Sequence, residues 1–262
     1  MATAMGSMSI NGLMISKNAK TGYSINVYRC QPTPWCGKHC YCKARSAELI
    51  AKMGWDTTAN NGPITWDTQQ AAYKRNDRVL AELDAAGQLE HTASDITCRL
   101  QANGVTHLRG NGTGDLFRSL VVLYAFLALK GLKVFMFSRI PAMIRELADL
   151  CDELGVAKED RPFVTGSVDV STTPEAVQQL IEATRYINGT PALAYATSAA
   201  GQAGCNEVDR HPAAEHFHVV FGYHTNHLHT QLGHKKECPA TAGGNIKCAE
   251  CKRCYGFSSA RK

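Results

Sequence analysis

Six short apolar segments recur along the chain: Ser24–Arg29, Val105–Arg109, Lys133–Ser138, Phe163–Val170, Ala192–Thr197 and Phe217–Tyr223. Their β-branched and aromatic content suits buried strands. From the second onward their starts fall 28, 30, 29 and 25 residues apart, the length of one strand, one loop and one helix. Helical patterns fill the gaps. Ile140, Met143, Ile144, Leu147, Leu150, Cys151 and Leu154 recur at three and four, making one apolar face that Gly155 ends. Val177, Leu180, Ile181 and Ile187 repeat the pattern, opened by a capping box at Thr172-Thr173-Pro174-Glu175 and closed by Gly189. Asp115 to Lys130 predicts a more apolar helix ending at Gly131.

Strands alternating with helices mean βα units around a parallel sheet, either open or curled into part of a barrel. Function in either case gathers at the C-terminal ends of the strands. Those ends are polar here: Cys30 and its neighbours, Gly110 to Asp115, Ser138-Arg139, Ser167–Ser171, Thr197-Ser198 and Tyr223 to Asn226. The segment 43–100 breaks the period and reads as a helical insertion. Helical parts are predicted near Ala44–Met53 and Asp67–Ala86, with a turn at Asn60-Asn61-Gly62-Pro63 between them. Trp55 and Trp66 read as packing residues.

Composition changes this picture through cysteine. The 262 residues are 44% hydrophobic, enough for a full core, and include 11 cysteines. The N-terminus has no basic region followed by a long apolar stretch, and the longest apolar run, Leu120 to Leu129, has ten residues. Both features predict a cytoplasmic protein with no membrane attachment. Clustered cysteines in that compartment bind metal or carry redox chemistry. Eight fall into two sets, Cys30-x5-Cys36-x3-Cys40-x-Cys42 and Cys238-x9-Cys248-x2-Cys251-x2-Cys254. Cys98, Cys151 and Cys205 stand apart and read as structural fillers.

The charge is equally localised. Residues 235–262 hold seven Lys or Arg against two Glu and so account for the whole net charge of +5. The chain divides into an α/β body over 1–234 and a basic, cysteine-rich metal-binding tail over 235–262. Such a tail is able to contact nucleic acid. Its four thiolates suit a 4Fe-4S cluster first and zinc second.

Three thiolates on one loop after a strand would leave one iron of a 4Fe-4S cluster open. The loop Cys30-Gln-Pro-Thr-Pro-Trp-Cys36-Gly-Lys-His-Cys40-Tyr41 resembles that of the radical S-adenosylmethionine (SAM) enzymes. Those enzymes usually space their ligands by three residues and then two. Here the spacing is five then three through Cys30, Cys36 and Cys40, or three then one through Cys36, Cys40 and Cys42. The first choice sets Cys40-Tyr41 where the family commonly has Cys-Tyr. The stretch Arg109-Gly-Asn-Gly-Thr-Gly-Asp115 resembles the family's glycine-rich turn for the amino group of SAM, which maps onto Gly112, Gly114 and Asp115. A strand-to-helix turn capped by Asp accounts for the same pattern without a ligand. Ser138, Arg139, Ser167 and Asp169 are polar positions expected at the pocket, available to a ribose or carboxylate, or alternatively to loop hydrogen bonds and solvent.

The resemblance implies a six-strand parallel partial (β/α) barrel, SAM as cofactor beside the cluster, an external electron donor and a substrate the sequence does not specify. A narrower resemblance spans most of the chain. Asn18-Ala-Lys-Thr-Gly, Cys36-x3-Cys40-Tyr41, Thr113-Gly-Asp-Leu-Phe117, Phe137-Ser-Arg139 and the Cys238 to Cys254 tail are similar to a family of phage and plasmid proteins named for a gene-product number. It implies one unit from the first cluster to the last. Two other classes compete. One is a metal-stabilised nucleic-acid-binding protein using the tail. The other is a DNA-nicking enzyme with His216-Phe-His218 holding a metal and Tyr255 as nucleophile.

Overall fold

The computed structural model describes residues 6–18, 22–39, 66–112, 114–222, 224–225, 228–229, 232–239 and 251. The helix predicted near Ala44–Met53, Trp55, Thr113, Cys40, Cys42, Cys248, Cys254 and Tyr255 lie outside them, as does the side chain of Trp66.

Eight strands form one sheet in chain order: β1 (Met8–Ile10), β2 (Leu13–Asn18), β3 (Gly22–Ile25), β4 (His107–Gly110), β5 (Lys133–Ser138), β6 (Phe163–Asp169), β7 (Leu193–Ala196) and β8 (Phe217–Phe221). β3 to β8 pair parallel, each with the next. β1, β2 and β3 pair antiparallel. This corrects the six-strand parallel partial barrel: among the described residues the sheet is mixed, has eight strands and is not closed. No strand is predicted before Ser24, yet Met8, Ile10, Leu13 and Ile15 alternate inward around Asn11-Gly12. Asn11 at φ 51° and Gly12 at φ 81° make the tight left-handed turn that a two-residue hairpin needs. The hairpin occupies the outer edge of β3, so the sheet extends there instead of turning back toward β8. A separate two-stranded ladder joins His224–Thr225 to Leu228–His229.

Seven helices are described: α1 (Pro34–His39), α2 (Trp66–Ala85), α3 (Leu89–Ala102), α4 (Arg118–Leu129), α5 (Pro141–Glu153), α6 (Pro174–Asn188) and α7 (Gly201–Arg210). The predicted helix at Asp115 starts only at Arg118, and α3 is an additional one. Its Leu89, Ala93, Ile96 and Leu100 recur at helical spacing and are buried. In α6 the cap is Thr173, whose hydroxyl accepts from the Ala176 N–H, while Thr172 accepts from the Asp169 N–H. The cap thus falls one residue later than predicted, because Pro174 takes the first helical position, and Ala176 at the third cannot complete a capping box. Gly189, at φ 78°, closes the helix.

The buried faces of α2 to α6 join Ile25, Leu108, Met136, Val164, Val168 and Leu193 in one core. Strand residues alternate, so the other face of the sheet carries Ser24, Arg109, Phe135, Phe137, Thr165 and Ser167. A second, small cluster of Ala194, Val219 and Cys238 with Phe137 and Phe221 lies there, and none of these described residues is helical. Among the described residues no helix is long and apolar enough to cross a membrane.

Candidate functional site at the strand ends

The chain leaving β3 is pinned before it reaches the first cysteine. Asn76 of α2 is 1% exposed, donates to the carbonyls of Met14 and Asn26, and accepts from the Met14 N–H. One residue on, the Asp77 carboxylate accepts from the N–H groups of Tyr28 and Arg29, each at 3.1 Å. Burial raises the pKa of Asp77 against the pull of those two donors and of the Arg29 charge. Sequence reasoning missed this pair. The available signal was an Asn three, four and seven residues before Val79, Leu80 and Leu83, on the apolar stripe of α2.

Asp115 then ties three strand ends together. Its N–H donates to the Arg29 carbonyl at 2.8 Å, and its carboxylate accepts from Gln31 N at 2.9 Å and Arg139 N at 3.0 Å. Cys30 sits beside it. Cys30 is an exposed residue, yet partial desolvation of its thiol, then the charge of Asp115 and a hydrogen bond to it, then Cys36, push the thiol up to about 12, with Arg139 pulling the other way. Cys36 is the third residue of α1. Thr33 caps that helix, accepting from the Cys36 N–H at 3.1 Å and donating to Asp169. Ser171 accepts from the Trp35 N–H at 3.0 Å and donates to Asp169 at 2.8 Å.

Asp169 is fully buried, and Arg139 lies 3.6 Å from it with its side chain only 17% exposed. Burial works against the Arg139 charge, but Cys36, Asp169 and Asp115 outweigh it and raise its pKa. Arg139 is therefore an internal counter-ion for the loop and not a solvated arginine. Ser138 is buried, and its hydroxyl accepts from the Ile140 N–H, so it serves its own turn.

The two glycines have steric reasons to be glycine. A Cβ on Gly112 would lie 2.2 Å from Asn26 Oδ1. One on Gly114, which has φ 84°, would lie 2.7 Å from the carbonyl oxygens of both Val27 and Arg29. Both positions press against the chain that leads into Cys30. Asn111, at φ 48°, is locked by Tyr124, whose hydroxyl donates to Asn111 Oδ1 at 2.8 Å.

The structure thus brings Cys30, Cys36, Gly112, Gly114, Asp115 and Arg139 to one end of the sheet. Thiols supply the donor chemistry of an iron–sulfur site, and two described thiols share this loop. The third expected donor, Cys40, lies outside the described residues, as does Cys42. Among the described residues, no three His, Cys, Asp or Glu side chains form a metal-holding group.

The tail begins at the far edge of the sheet. Val220 N donates to the Lys236 carbonyl and Cys238 N to the Val220 carbonyl, both at 2.9 Å. Cys238 is buried against Ala194 and Val219, and Cys251 is half-buried. His216 ends a 3-10 turn (Ala214–His216) and only His218 is on β8, so the two histidines do not share a strand. Of the predicted fillers, Cys151 is fully buried, Cys205 donates to the Leu232 carbonyl, and Cys98 is exposed. Comparison with family models, curated proteins and solved structures finds no match for this chain.

Proposed function

We propose that the strand-end loop holds a 4Fe-4S cluster through Cys30, Cys36 and Cys40, and that the protein is a cytoplasmic radical-SAM-type enzyme. The observation that carries this is the convergence of Cys30 and Cys36 with Asp115 and Arg139 at the ends of β3, β4 and β5. When bound, the cluster with SAM would supply one-electron reductive cleavage to a carbon-centred radical. The protein's own residues do the rest. Asp115 fixes the backbone beside Cys30 by accepting from the N–H groups of Gln31 and Arg139. Arg139 balances thiolate charge at Cys36 from a site largely closed to water. Thr33 and Ser171 fix the start of α1, which holds Cys36 in place. The tail cysteines Cys238, Cys248, Cys251 and Cys254 would hold a second metal centre, iron–sulfur or zinc.

Anaerobic purification with iron and sulfide assay, followed by a test for reductive SAM cleavage, checks this. Iron uptake at the first site, lost in Cys36→Ala, is the expected result. Zinc alone after iron–sulfide reconstitution, or full iron retention at that site in Cys36→Ala, refutes it.

A further inference from the structure

Among the described residues Arg109 is the one strand arginine, and it lies on the face of the sheet opposite α2 to α6. At its level the register sets Ser24, Arg109, Phe135 and Phe163 side by side across β3 to β6. Arg109 is half-buried, and its Nε is out of solvent with no hydrogen-bond partner. Among the described residues no carboxylate comes within ion-pair distance of it. Arg139 and Arg161 share the unpartnered Nε but have ion pairs, Arg139 with Asp169 and Arg161 with Asp152. The Arg109 guanidinium lies over the Phe137 ring, 5.8 Å from its centre. Guanidinium does not shed its proton, and a charge taken from water without a counter-ion is costly. Beyond Phe137 lies Phe221, edge to face at 5.9 Å. A cation with no anion among the described residues, set beside an aromatic pair, suits a ligand with both features.

We propose that Arg109 receives the anionic group of a small aromatic substrate whose ring lies against Phe137 and Phe221. A carboxylate or phosphate oxygen pair matches the guanidinium fork. The ring would pack against the half-buried Phe137 and Phe221 on the same face. This deepens the function proposed above and rests on it, because Phe135, the register partner of Arg109, is four residues below Arg139, about 13 Å along the strand. The substrate then extends from Arg109 toward the cysteine loop.

The test is calorimetric titration of the full chain with benzoate, phenyl phosphate, inorganic phosphate and neutral benzyl alcohol, with and without iron loading. Saturable binding of benzoate or phenyl phosphate is expected, and whichever is tighter identifies the oxyanion. Arg109→Gln should weaken it at least tenfold, with Arg109→Lys in between. Phe137→Leu should weaken the ring-bearing anions and leave inorganic phosphate unchanged, which keeps the test intact if the Arg109 variants fail to fold. The proposal is overturned if neither anion binds, if a folded Arg109→Gln binds them equally, or if benzyl alcohol binds as tightly. Iron uptake without anion binding removes Arg109 as anchor alone, and anion binding without iron uptake removes the cluster alone.

Discussion

Adding one methyl group at Gly112 tests whether the glycine-rich turn is shaped by packing or by a ligand. The new Cβ would stand 2.2 Å from Asn26 Oδ1, 3.2 Å from Ser24 Oγ and 3.3 Å from Asn26 Cγ. The first distance is more than 1 Å short of ordinary contact. Asn26 is buried and donates to Ser24 Oγ at 3.3 Å, so its amide has little room to swing away. Overpacking of this kind costs about 1–3 kcal/mol. Asn26→Ala removes the opposing oxygen and one buried hydrogen bond, a loss of about 1 kcal/mol. It leaves the Asn26 carbonyl, which holds Asn76, untouched. The double variant should therefore be about as stable as Asn26→Ala alone, a coupling of about 1–3 kcal/mol between positions 112 and 26. Urea unfolding of the four proteins, followed by far-ultraviolet circular dichroism, measures it. Strict additivity, or a Gly112→Ala variant within about 0.5 kcal/mol of the parent, would refute the packing argument and return Gly112 to a ligand role.

Three further outcomes follow from the same geometry. Gly114→Ala combines a left-handed backbone with overlap on two carbonyl oxygens, so it should cost about 3 kcal/mol or more and lower the thermal midpoint by about 6–12 °C; an unchanged melting curve contradicts it. Asp169→Ala strands Arg139, Thr33 and Ser171 together and should cost about 3–5 kcal/mol, with faster iodoacetamide labelling of Cys36 as α1 loosens; unchanged labelling and stability count against the role given to Asp169. Burial lowers the pKa of His211 despite the nearby Glu207, and its Nδ1 accepts from the Ala213 N–H. A folded pKa below the unfolded value means stability is present above about pH 6.5 and is lost as pH falls through the folded value. The urea midpoint should therefore be lower at pH 5.5 than at pH 7.5, less so in His211→Gln; equal pH dependence in both proteins would exclude this histidine.

The strands most legible in sequence are those whose pattern is local. Lys133–Ser138 matches β5 fully, and Phe163–Val170 overruns β6 by one residue. α5 and α6 follow from their apolar stripes and from Gly155 and Gly189. The N-terminal hairpin was equally local, with Asn11-Gly12 between alternating apolar residues, and its omission made the sheet too small and wrongly all-parallel. The site was legible as residue types at strand ends and not as partnerships. That Arg139 meets Asp169 and Cys36, or that Gly112 faces Asn26, depends on contacts between residues up to about a hundred positions apart, which periodicity does not encode. Asn76 and Asp77 were hidden because polar residues inside a helix usually face water.

The Lys236–Cys238 segment alongside β8 has a bearing on solubility. An open sheet ends in two rows of unpaired backbone groups that recruit strands from other molecules. β1 limits this at one edge by being three residues long. At the other edge the outer ladder of β8 is partly occupied by the two backbone hydrogen bonds of that segment. Proteolytic loss of the tail before Lys236 would thus do more than remove thiols and positive charge: it would uncover an adhesive edge, and self-association would be its first sign.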